Sequence, residues 1–317
     1  MGMAKSHRFS MKKSQSAFPN QSAISAVITT YRPDDEFPNR VEGVRHQVGC
    51  VVIVDDGASS DNVMRLKRWF SNTPKVLLHH NETNIGIAAS LNKGVAIAKC
   101  EGCWWALTLD DDTIIAPDMV QTLVGYWKQI SLQRGKPIAL MGMLYRDALT
   151  GEISDRRTGS NGIVYADKRE IITSGSLLSL DAYEMIGPFR NDLFIDFVDY
   201  DYCFRARSMG FRVIKIFKVG MEHSVGRLRL HNFAGKIVET YNHSPARLYY
   251  YFRNSIVFMR EVLMSDPLFV LALLYANLRM VVLVALLESD KRTKIRYMIR
   301  GVLDGWRNRL GRTIAPS

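Results

Sequence analysis

The amino-acid sequence predicts an α/β protein with a mixed, mostly parallel sheet flanked by helices. Two patterns in the first half of the chain support this prediction: apolar, β-type runs and helical stretches that alternate with them. The apolar runs cover residues 24–29, 50–54, 75–79 and 104–109. Helical patterns lie between them at residues 62–70 and 87–99. Such alternation is typical of βαβ units, and the almost continuously apolar runs indicate strands covered on both faces.

The second half of the chain, after residue 136, has a less regular pattern. Short strands are expected at residues 138–144, 162–165, 171–180 and 211–217, and a helix at residues 199–209. The composition, with 47% hydrophobic and 23% charged residues over 317 positions, is that of a globular protein with a sizeable core. A disordered chain is therefore excluded.

Four cysteines are present, and their spacing indicates free thiols. Cys100 and Cys103 have the two-residue gap of a redox or zinc pair, but no second pair follows them. We therefore expect four free, mostly buried thiols in a reducing compartment.

The two ends of the chain differ from its body. Residues 1–22 are rich in Ser, Lys and Gln, lack an apolar signal segment and are expected to form a disordered tail. Residues 268–287 are apolar and long enough to span a membrane, although Arg279 near their centre would be costly there. The predicted division is this tail, a main domain over residues 23–260 and a C-terminal helical segment over residues 261–317.

The net charge of +11 is concentrated near the C-terminus. Residues 290–312 contain eight Lys or Arg and two Asp, so this stretch alone carries +6. Apolar residues and Trp306 recur there at helical spacing, which is typical of an amphipathic helix at a membrane surface. Three interpretations of the C-terminal segment stay open: peripheral membrane attachment, packed helices or an oligomer interface, and a true membrane span.

Acidic residues follow two of the predicted strands. Asp110, Asp111 and Asp112 end the fourth strand, and Asp55 and Asp56 end the second. Ligands bind at the carboxyl ends of strands in α/β sheets, and a divalent cation would relieve the repulsion between three adjacent carboxylates. The simpler alternatives are a solvated acidic turn after the fourth strand and a helix cap after the second.

A third acidic group lies within residues 194–207, where aspartates alternate with aromatic residues. Asp196 or Asp199, partly desolvated by such neighbours, is a candidate general base. Arg205, on the same predicted helix, is a candidate partner for a phosphate or for these aspartates. The simpler alternative is an acidic helix cap with salt bridges. His223 lies just beyond the last predicted strand. By itself it is expected to be a structural residue, and it becomes a candidate ligand only if a metal site is present.

Six short motifs occur in order along the chain. They are Ile28-Thr29-Thr30-Tyr31-Arg32-Pro33, Val54-Asp55-Asp56-Gly57, Asn84-Ile85-Gly86-Ile87-Ala88-Ala89-Ser90-Leu91-Asn92-Lys93-Gly94, Leu109-Asp110-Asp111-Asp112, residues 194–207 and His223-x-x-Gly226. This combination resembles family 2 of the nucleotide-sugar glycosyltransferases, which have the GT-A fold. Within that family, the chain resembles most closely the bacterial rhamnosyltransferases of surface-polysaccharide and O-antigen assembly.

The resemblance implies roles for individual residues. Asp110 and Asp112 would form the Asp-x-Asp motif that holds a metal ion, completed by His223. Asp199 matches the family's catalytic base, and Asp196 is the reserve candidate. The residues expected to bind the nucleotide are Thr29, Tyr31, Asp55, Asp56, Asn84, Gly86, Lys93, Asp110 and Asp111.

Two departures from the family pattern leave alternatives open. Val198 stands where the family often has Glu or Trp before the base, so the choice between Asp196 and Asp199 is not settled by the motif. The middle residue of the acidic triplet, Asp111, is itself a carboxylate, so the choice of Asp110 and Asp112 as metal ligands is an inference from spacing.

The resemblance implies an inverting glycosyltransferase assisted by Mn²⁺ or Mg²⁺. The favoured donor is dTDP-rhamnose, and a UDP-sugar, galactofuranosyl or hexosyl, is the alternative. The acceptor is expected to be a lipid-linked or polysaccharide glycan, with the enzyme on the cytoplasmic face of the inner membrane and no nucleic-acid partner. A homo-oligomer formed through the C-terminal segment stays an alternative.

Other functional classes fit less well. An aspartyl phosphatase motif would require Thr where Ile114 stands, and no Gly-x-Gly-x-x-Gly follows any strand as a dinucleotide oxidoreductase would require. A non-catalytic membrane- or nucleic-acid-binding module leaves the clustered aspartates unexplained. Removal of residues 262–317 would abolish the function of such a module, whereas a transferase is expected to keep nucleotide and metal binding.

Overall fold

The structure, a computed structural model, describes residues 18–133, 135–155, 164–223, 229–233 and 236–314. Its strands are β1 Ile24–Thr30, β2 Cys50–Asp55, β3 Val76–His80, β4 Trp105–Asp110, β5 Ile114–Ile115, β6 Ile138–Asp147, β7 Tyr165–Asp167, β8 Ser176–Ser179, β9 Arg212–His223, β10 Arg229–Phe233 and β11 Lys236–Thr240. Its helices are α1 Phe37–Arg45, α2 Ser60–Phe70, α3 Ile87–Cys100, α4 Met119–Leu132, α5 Leu180–Ile186, α6 Val198–Ser208, α7 Pro245–Val262, α8 Pro267–Leu287 and α9 Lys291–Trp306.

Nine of the described strands form one mixed sheet in the order β3-β2-β1-β4-β8-β6-β9-β5, with β7 paired to β9. Strands β3, β2, β1 and β4 are parallel, and so are β6 and β9. Strand β8 lies antiparallel between β4 and β6 and joins the two halves. The carboxyl ends of β1, β2 and β4 therefore meet at one edge, as the alternating pattern predicts.

Helices cover both faces of this sheet. Phe37 of α1, Leu66 of α2 and Leu123 of α4 are buried against one face, and Leu91 of α3 and Tyr202 of α6 against the other. All seven residues of β1 are buried. This two-sided burial explains why the central strands are almost continuously apolar.

The strands and helices predicted for the first half are confirmed, with small shifts at their ends. Residues 171–180, predicted as one strand, are strand only at Ser176–Ser179. This prediction is wrong mainly at its N-terminal end, because a turn precedes β8: the Ser176 N–H donates to the Thr173 carbonyl at 3.2 Å, and Gly175 has a φ of +75°. At the C-terminal end, Ser179 accepts a hydrogen bond from the Ala182 N–H and begins α5. The strand predicted at residues 162–165 lies largely outside the described residues. His223 is the last residue of β9 rather than a residue beyond it.

The predicted disordered tail is too long at its C-terminal end. Asn20 accepts a hydrogen bond from the Ala23 N–H and caps the short 3-10 turn Gln21–Ala23. Order therefore begins before β1, while residues 1–17 lie outside the described residues.

The predicted boundary between residues 260 and 261 falls inside α7. Helix α9 packs closely against α7 through two glycines: a Cβ on Gly301 would lie 2.4 Å from the Tyr249 carbonyl oxygen, and one on Gly305 would lie 2.4 Å from that of Arg253. Because no side chain separates the two helices there, the C-terminal helices are packed onto the main domain. The boundary predicted from the sequence is corrected accordingly.

This packing predicts that the C-terminal segment is required for folding. Gly305→Ala is expected to destabilise the protein by about 1–3 kcal/mol, because overpacking forces α9 away from α7. Gly125→Ala on α4 is the matched control, since a Cβ there meets nothing within 4 Å. Thermal unfolding followed by circular dichroism measures both variants. Equal melting temperatures for the two variants would contradict close packing of α7 and α9. We also expect a chain ending at residue 260 to lose cooperative unfolding, so removal of the C-terminal segment would not distinguish a transferase from a binding module as expected from the sequence.

Candidate active site

A cleft of about 630 Å³ opens at the carboxyl ends of β1, β2 and β4. One wall comes from the segments that follow these strands, and the opposite wall comes from the loop before α6, from α6 and from α7. The polar lining residues of the first wall are Thr29, Thr30, Tyr31, Asp56, Asn84, Asp110, Asp111 and Asp112. Those contributed by later parts of the chain are Tyr145, Thr173, Ser174, Asp196, Asp199, Tyr200, His223, Ser244, Arg247, Tyr250 and Tyr251.

The three carboxylates at the end of β4 have different partners. The Asp111 carboxylate accepts a hydrogen bond from Thr30 Oγ1 at 2.7 Å and another from the Tyr31 N–H at 3.2 Å. Asp112 Oδ1 lies 3.1 Å from His223 Nδ1, and Asp110 Oδ2 lies 3.9 Å from His223 Nε2. The structure thus brings Asp110 and Asp112 to His223, and directs Asp111 to the segment after β1.

The ligand atoms of Asp110, Asp112 and His223 all lie within 4.8 Å of one another. Burial raises the pKa of Asp110 to about 6, with His223 opposing the shift and the neighbouring carboxylates adding to it. Burial lowers the pKa of His223, but the hydrogen bond with Asp112 and the charge of Asp110 leave it above its usual value. Two carboxylates and an imidazole form a donor set that suits Mn²⁺, and Mg²⁺ to a lesser extent.

Asp55 and Asp56, at the end of β2, have separate environments. Asp55 is fully buried and its carboxylate is hydrogen-bonded to His80 Nδ1 at 2.5 Å. It is not part of the cleft lining described above, so its predicted contact with the nucleotide is not supported. Asp56 lines the cleft and accepts hydrogen bonds from the N–H groups of Ile85 and Gly86 at 2.8 and 2.9 Å. Asp56 therefore also shapes the rim of the cleft.

The rim at residues 84–86 touches the opposite wall. Asn84 Oδ1 is buried without a hydrogen-bond partner among the described residues. Gly86 has a φ of +89°, a conformation that favours glycine. A Cβ on Gly86 would lie 2.5 Å from both the ring and the carbonyl oxygen of Phe194. The two walls therefore meet at Gly86 with no side chain of residue 86 between them.

Besides Asp55, two predicted site residues lie away from the cleft. Lys93 is exposed on α3 and is not among the lining residues. Arg205 binds the Asp201 carboxylate at 2.8 Å and the carbonyl oxygens of Ile186 and Pro188 at 3.0 and 2.9 Å. Its acidic partner is thus the residue one helical turn earlier. Because its donors are used inside the fold, the phosphate contact predicted for Arg205 is not supported.

The loop before α6 has an unusual backbone. Phe194, Asp196 and Phe197 have positive φ values of 66°, 61° and 62°. For residues other than glycine, each such conformation costs about 1–3 kcal/mol and persists only where its surroundings hold it. This loop brings Asp196 to the cleft and starts α6, which carries Asp199 in its first turn.

Asp196 and Asp199 both line the cleft, but in different electrostatic surroundings. Asp196 Oδ1 lies 3.4 Å from Arg247 Nη2. Burial raises the pKa of Asp199 to about 7, with the Tyr200 N–H opposing the shift and the charge of Asp196 adding to it. A carboxylate with a pKa near neutrality is suited to accept a proton from a substrate.

Helix α7 supplies cleft residues that sequence reasoning missed. Arg247, Tyr250 and Tyr251 line the cleft, and Arg247 is the only Lys or Arg among the described residues to do so. Its Nε is buried without a partner among those residues. The available signal was the 3–4 spacing of Arg247, Tyr250, Tyr251 and Asn254, which places a polar and aromatic face on an otherwise apolar helix.

Comparison with known proteins identifies the chemistry of this edge of the sheet. Residues 25–133, from β1 to α4, match the family model described as Glycosyl transferase family 2. Over these residues the chain is similar to family 2 glycosyltransferases. Over 92% of its length, the chain is 26% identical to the dTDP-rhamnosyl transferase RfbF of Shigella flexneri, 97% of which is covered. The protein is therefore a glycosyltransferase, and the interpretation as a non-catalytic binding module is set aside.

Solved structures agree with this assignment at the level of the fold. The mannosyltransferase PcManGT of Pyrobaculum calidifontis, in complex with GDP-Man and Mn²⁺, is 14% identical, with a TM-score of 0.54 over 90% of this chain and 87% of that one. TarS 1–349 of S. aureus, in complex with UDP-GlcNAc, is 13% identical, with a TM-score of 0.56 over 88% and 81%. The predicted GT-A fold of the glycosyltransferase is confirmed.

Proposed function

We propose that this glycosyltransferase moves L-rhamnose from dTDP-rhamnose to a hydroxyl group of a lipid-linked or polysaccharide acceptor, with inversion and with the help of a divalent metal. The observation that carries the proposal is the placement of Asp199 and the Asp110, Asp112 and His223 cluster in one cleft. Similarity to a dTDP-rhamnosyl transferase over almost the whole chain supports the donor. A UDP-sugar, galactofuranosyl or hexosyl, is the alternative donor.

Mn²⁺ or Mg²⁺ would be held by Asp110, Asp112 and His223. When bound, such an ion neutralises charge on a diphosphate. The mannosyltransferase PcManGT, which has a similar fold, was solved with GDP-Man and Mn²⁺. Thr113 Oγ1 lies 3.0 Å from His223 Nδ1 and 2.7 Å from Ser174 Oγ, so a hydroxyl pair orients the imidazole, as outer contacts do in metal sites.

The nucleotide would lie along the first wall of the cleft. Thr29, Tyr31 and Asp111 come from the segments after β1 and β4, and Asn84 offers a buried amide oxygen without a partner among the described residues. Such an unsatisfied acceptor suits a ribose hydroxyl or a base N–H. The Asp56 carboxylate, which accepts hydrogen bonds from the backbone of the rim, would place a negative charge next to the base.

Arg247 would stabilise the departing diphosphate. It faces the acidic cluster across the cleft, and the charges of Asp196, Asp110 and Asp112 keep its pKa above the usual value, with burial opposing the shift. Its unpartnered Nε can donate to a phosphate oxygen. A fixed cation aimed at the site of developing charge lowers the barrier to departure of the leaving group.

Asp199 would act as the base. The acceptor oxygen attacks the anomeric carbon, the bond from that carbon to the diphosphate oxygen breaks, and the acceptor proton passes to Asp199. One displacement inverts the anomeric centre, so no carboxylate nucleophile is required. We favour Asp199 over Asp196 because Arg247 holds the Asp196 carboxylate in an ion pair, whereas burial brings the pKa of Asp199 to about 7.

The C-terminal helices would attach the enzyme to the cytoplasmic face of the inner membrane. Helix α8 is long and apolar enough to cross a membrane, but one side of it packs inward through Phe269, Leu273 and Asn277. Its outward stripe consists of Leu268, Leu271, Tyr275, Leu278, Val282 and Leu286, all exposed. Exposed basic residues of α9 and Trp306 lie nearby in sequence, a pattern that favours an anionic lipid surface. An oligomer formed through the same stripe is the alternative.

Nucleotide and metal binding test the proposed function. Isothermal titration is expected to show binding of dTDP in the presence of Mn²⁺, weaker binding of UDP, and little binding without metal. Asp112→Ala should weaken dTDP binding by at least about 100-fold, since even outer contacts of a metal site are worth 10–100-fold. Asp118→Ala, an exposed carboxylate paired with Lys218, is the matched control. Tighter binding of UDP would favour the alternative donor, and absence of any nucleotide binding would overturn the assignment of the cleft.

The pH dependence of turnover tests the base. Asp199 acts as a carboxylate, so kcat at saturating metal and donor should rise with pH and reach a plateau above about 7, the pKa to which burial raises this group. Below that pH the protonated form predominates, and the rate should fall about tenfold per pH unit. Asp199→Asn should lower kcat by about 100- to 10,000-fold and leave dTDP binding intact. The reverse pattern, with loss of activity in Asp196→Asn only, would assign the base to Asp196.

Vesicle binding tests the membrane face. The protein is expected to sediment with vesicles that contain anionic lipid, less with neutral vesicles, and less at high salt. The double variant Leu271→Glu, Leu278→Glu should remain soluble in the presence of both kinds of vesicle. Met64→Glu, an equally exposed apolar position on α2, is the control. A change in oligomeric mass by light scattering, without a change in sedimentation, would instead identify the stripe as an oligomer interface.

A further inference from the structure

We propose that Arg253 and Asn254 of α7 are positioning residues that hold the loop at residues 192–197 in its catalytic conformation and tie it to the end of the chain. The inference rests on the proposed role of Asp199, which follows this loop directly. Neither residue lines the cleft, so both would act through the loop rather than on the substrate.

The loop requires external support. Phe194, Asp196 and Phe197 lie in the left-handed region of backbone space, which only glycine adopts without strain. Three such residues within four positions would relax to ordinary conformations if nothing held them. Relaxation would turn Asp196 away from Arg247 and rotate the first turn of α6, which carries Asp199.

Asn254 provides a set of contacts that fits this need. Its Nδ2 lies within hydrogen-bond distance of three loop carbonyl oxygens, those of Leu193, Ile195 and Asp196, at 2.9, 2.7 and 3.0 Å. Its Oδ1 accepts a hydrogen bond from Arg253 Nε at 2.9 Å, which fixes the orientation of the amide. Asn254 is fully buried, so removal of its side chain leaves these carbonyl oxygens without their donor inside the fold.

Arg253 connects the same loop to the C-terminal residues. Its Nη2 donates to the Leu193 carbonyl at 2.9 Å, and its Nη1 donates to the Gly311 carbonyl at 2.6 Å. The side chain is fully buried, and its guanidinium lies over the Tyr250 ring at 4.8 Å. Burial lowers the pKa of Arg253. A buried cation whose donors serve backbone carbonyls is costly to place, and the planar fork of an arginine is what allows it to reach two segments at once.

The segment after α9 completes the arrangement. The Gly311 N–H donates to the Asp192 carbonyl at 2.6 Å, the Ile314 N–H donates to Tyr250 Oη at 3.0 Å, and Arg312 donates to the Asn84 carbonyl at the rim of the cleft at 3.0 Å. Residues 311–314 thus lie across the loop and the nucleotide rim. Arg253 is the side chain that joins them to the loop from inside.

The test compares positioning variants with matched buried or helical controls. Asn254→Ala and Arg253→Lys are the positioning variants. Asn277→Ala is the control for the first, because Asn277 is also buried but donates to Ser255 on α7. Arg260→Lys is the control for the second, because Arg260 is on the same helix and donates to a carbonyl near the end of α9, that of Trp306. The measurements are kcat, donor KM, dTDP binding, and amide hydrogen exchange of residues 192–198.

We expect Asn254→Ala to lower kcat by about 100-fold, as displacement of a catalytic group by about 1 Å can do, with dTDP binding changed by less than about threefold. Arg253→Lys is expected to lower kcat by about tenfold, since lysine keeps the charge but not the fork. Amide exchange of residues 192–198 should become faster in both variants. The two controls are expected to alter melting temperature without these changes.

Other outcomes separate the possible failures. If folded Asn254→Ala and Arg253→Lys retain kcat within about threefold of the wild type, the positioning role is overturned. If Asn254→Ala does not fold, Arg253→Lys and its control decide the question. If the wild type binds no nucleotide, the proposed function fails. If amide exchange of residues 192–198 is nevertheless faster in the positioning variants than in the wild type, the anchoring of the loop stands. Equal exchange in positioning and control variants would overturn the anchoring itself.

Discussion

The repulsion between three adjacent carboxylates at the end of β4 is the constraint on which the cleft depends. The protein separates them. Thr30 draws the Asp111 carboxylate towards β1, and Arg40 Nε donates to the Asp111 carbonyl at 2.6 Å. Strand β5 then pairs with the end of β9, with Ile114 opposite Glu222, and this short pairing carries His223 to the two remaining carboxylates. The cluster of Asp110, Asp112 and His223 is thus assembled by strand pairing between distant parts of the chain.

Helix α7 connects the side of the cleft opposite that cluster to the loop before α6 and to the C-terminal helices. Its N-terminal turns bring Arg247 to the cleft, its middle contacts the loop before α6, and its glycine-mediated contact with α9 joins the C-terminal helices to the body. The division into a catalytic domain and a detachable membrane segment, which composition favours, is therefore not the physical division. The basic, apolar C-terminal helices and the loop before α6 are both held by α7.

Sequence reasoning located the parallel half of the sheet and the acidic triplet because two-sided burial leaves continuous apolar runs that end in charged residues. It assigned both Asp55 and Asp56 to nucleotide binding, with Asp56 favoured for the base, because adjacent side chains at a strand end point to opposite faces and spacing alone does not say which faces the ligand. It left the partner of Arg205 open between a phosphate and an aspartate, and the structure shows the second, a helical salt bridge with Asp201.

The other gaps have a related cause. Helix α7 was missed because its functional residues form no recognised motif, and its polar face is apparent only once the loop it supports is known. The strand predicted at residues 171–180 was too long because a turn at residues 173–175 precedes β8, with the Ser176 N–H donating to the Thr173 carbonyl. A single glycine in an apolar run does not by itself indicate such a turn. Strand pairing of β5 with β9 involves two residues, too few for any periodic signal.

The meeting of Gly86 with Phe194 has a further consequence for selectivity. A bare backbone in van der Waals contact with an aromatic ring acts as a rigid spacer, so the width of the cleft at this point is set by atomic radii rather than by an adaptable side chain. A donor that needs a wider cleft at this point would have to displace the strained loop as well as the ring. Under the proposed function, the size of donor admitted and the alignment of Asp199 therefore depend on one contact, and a change that relaxes one is expected to degrade the other.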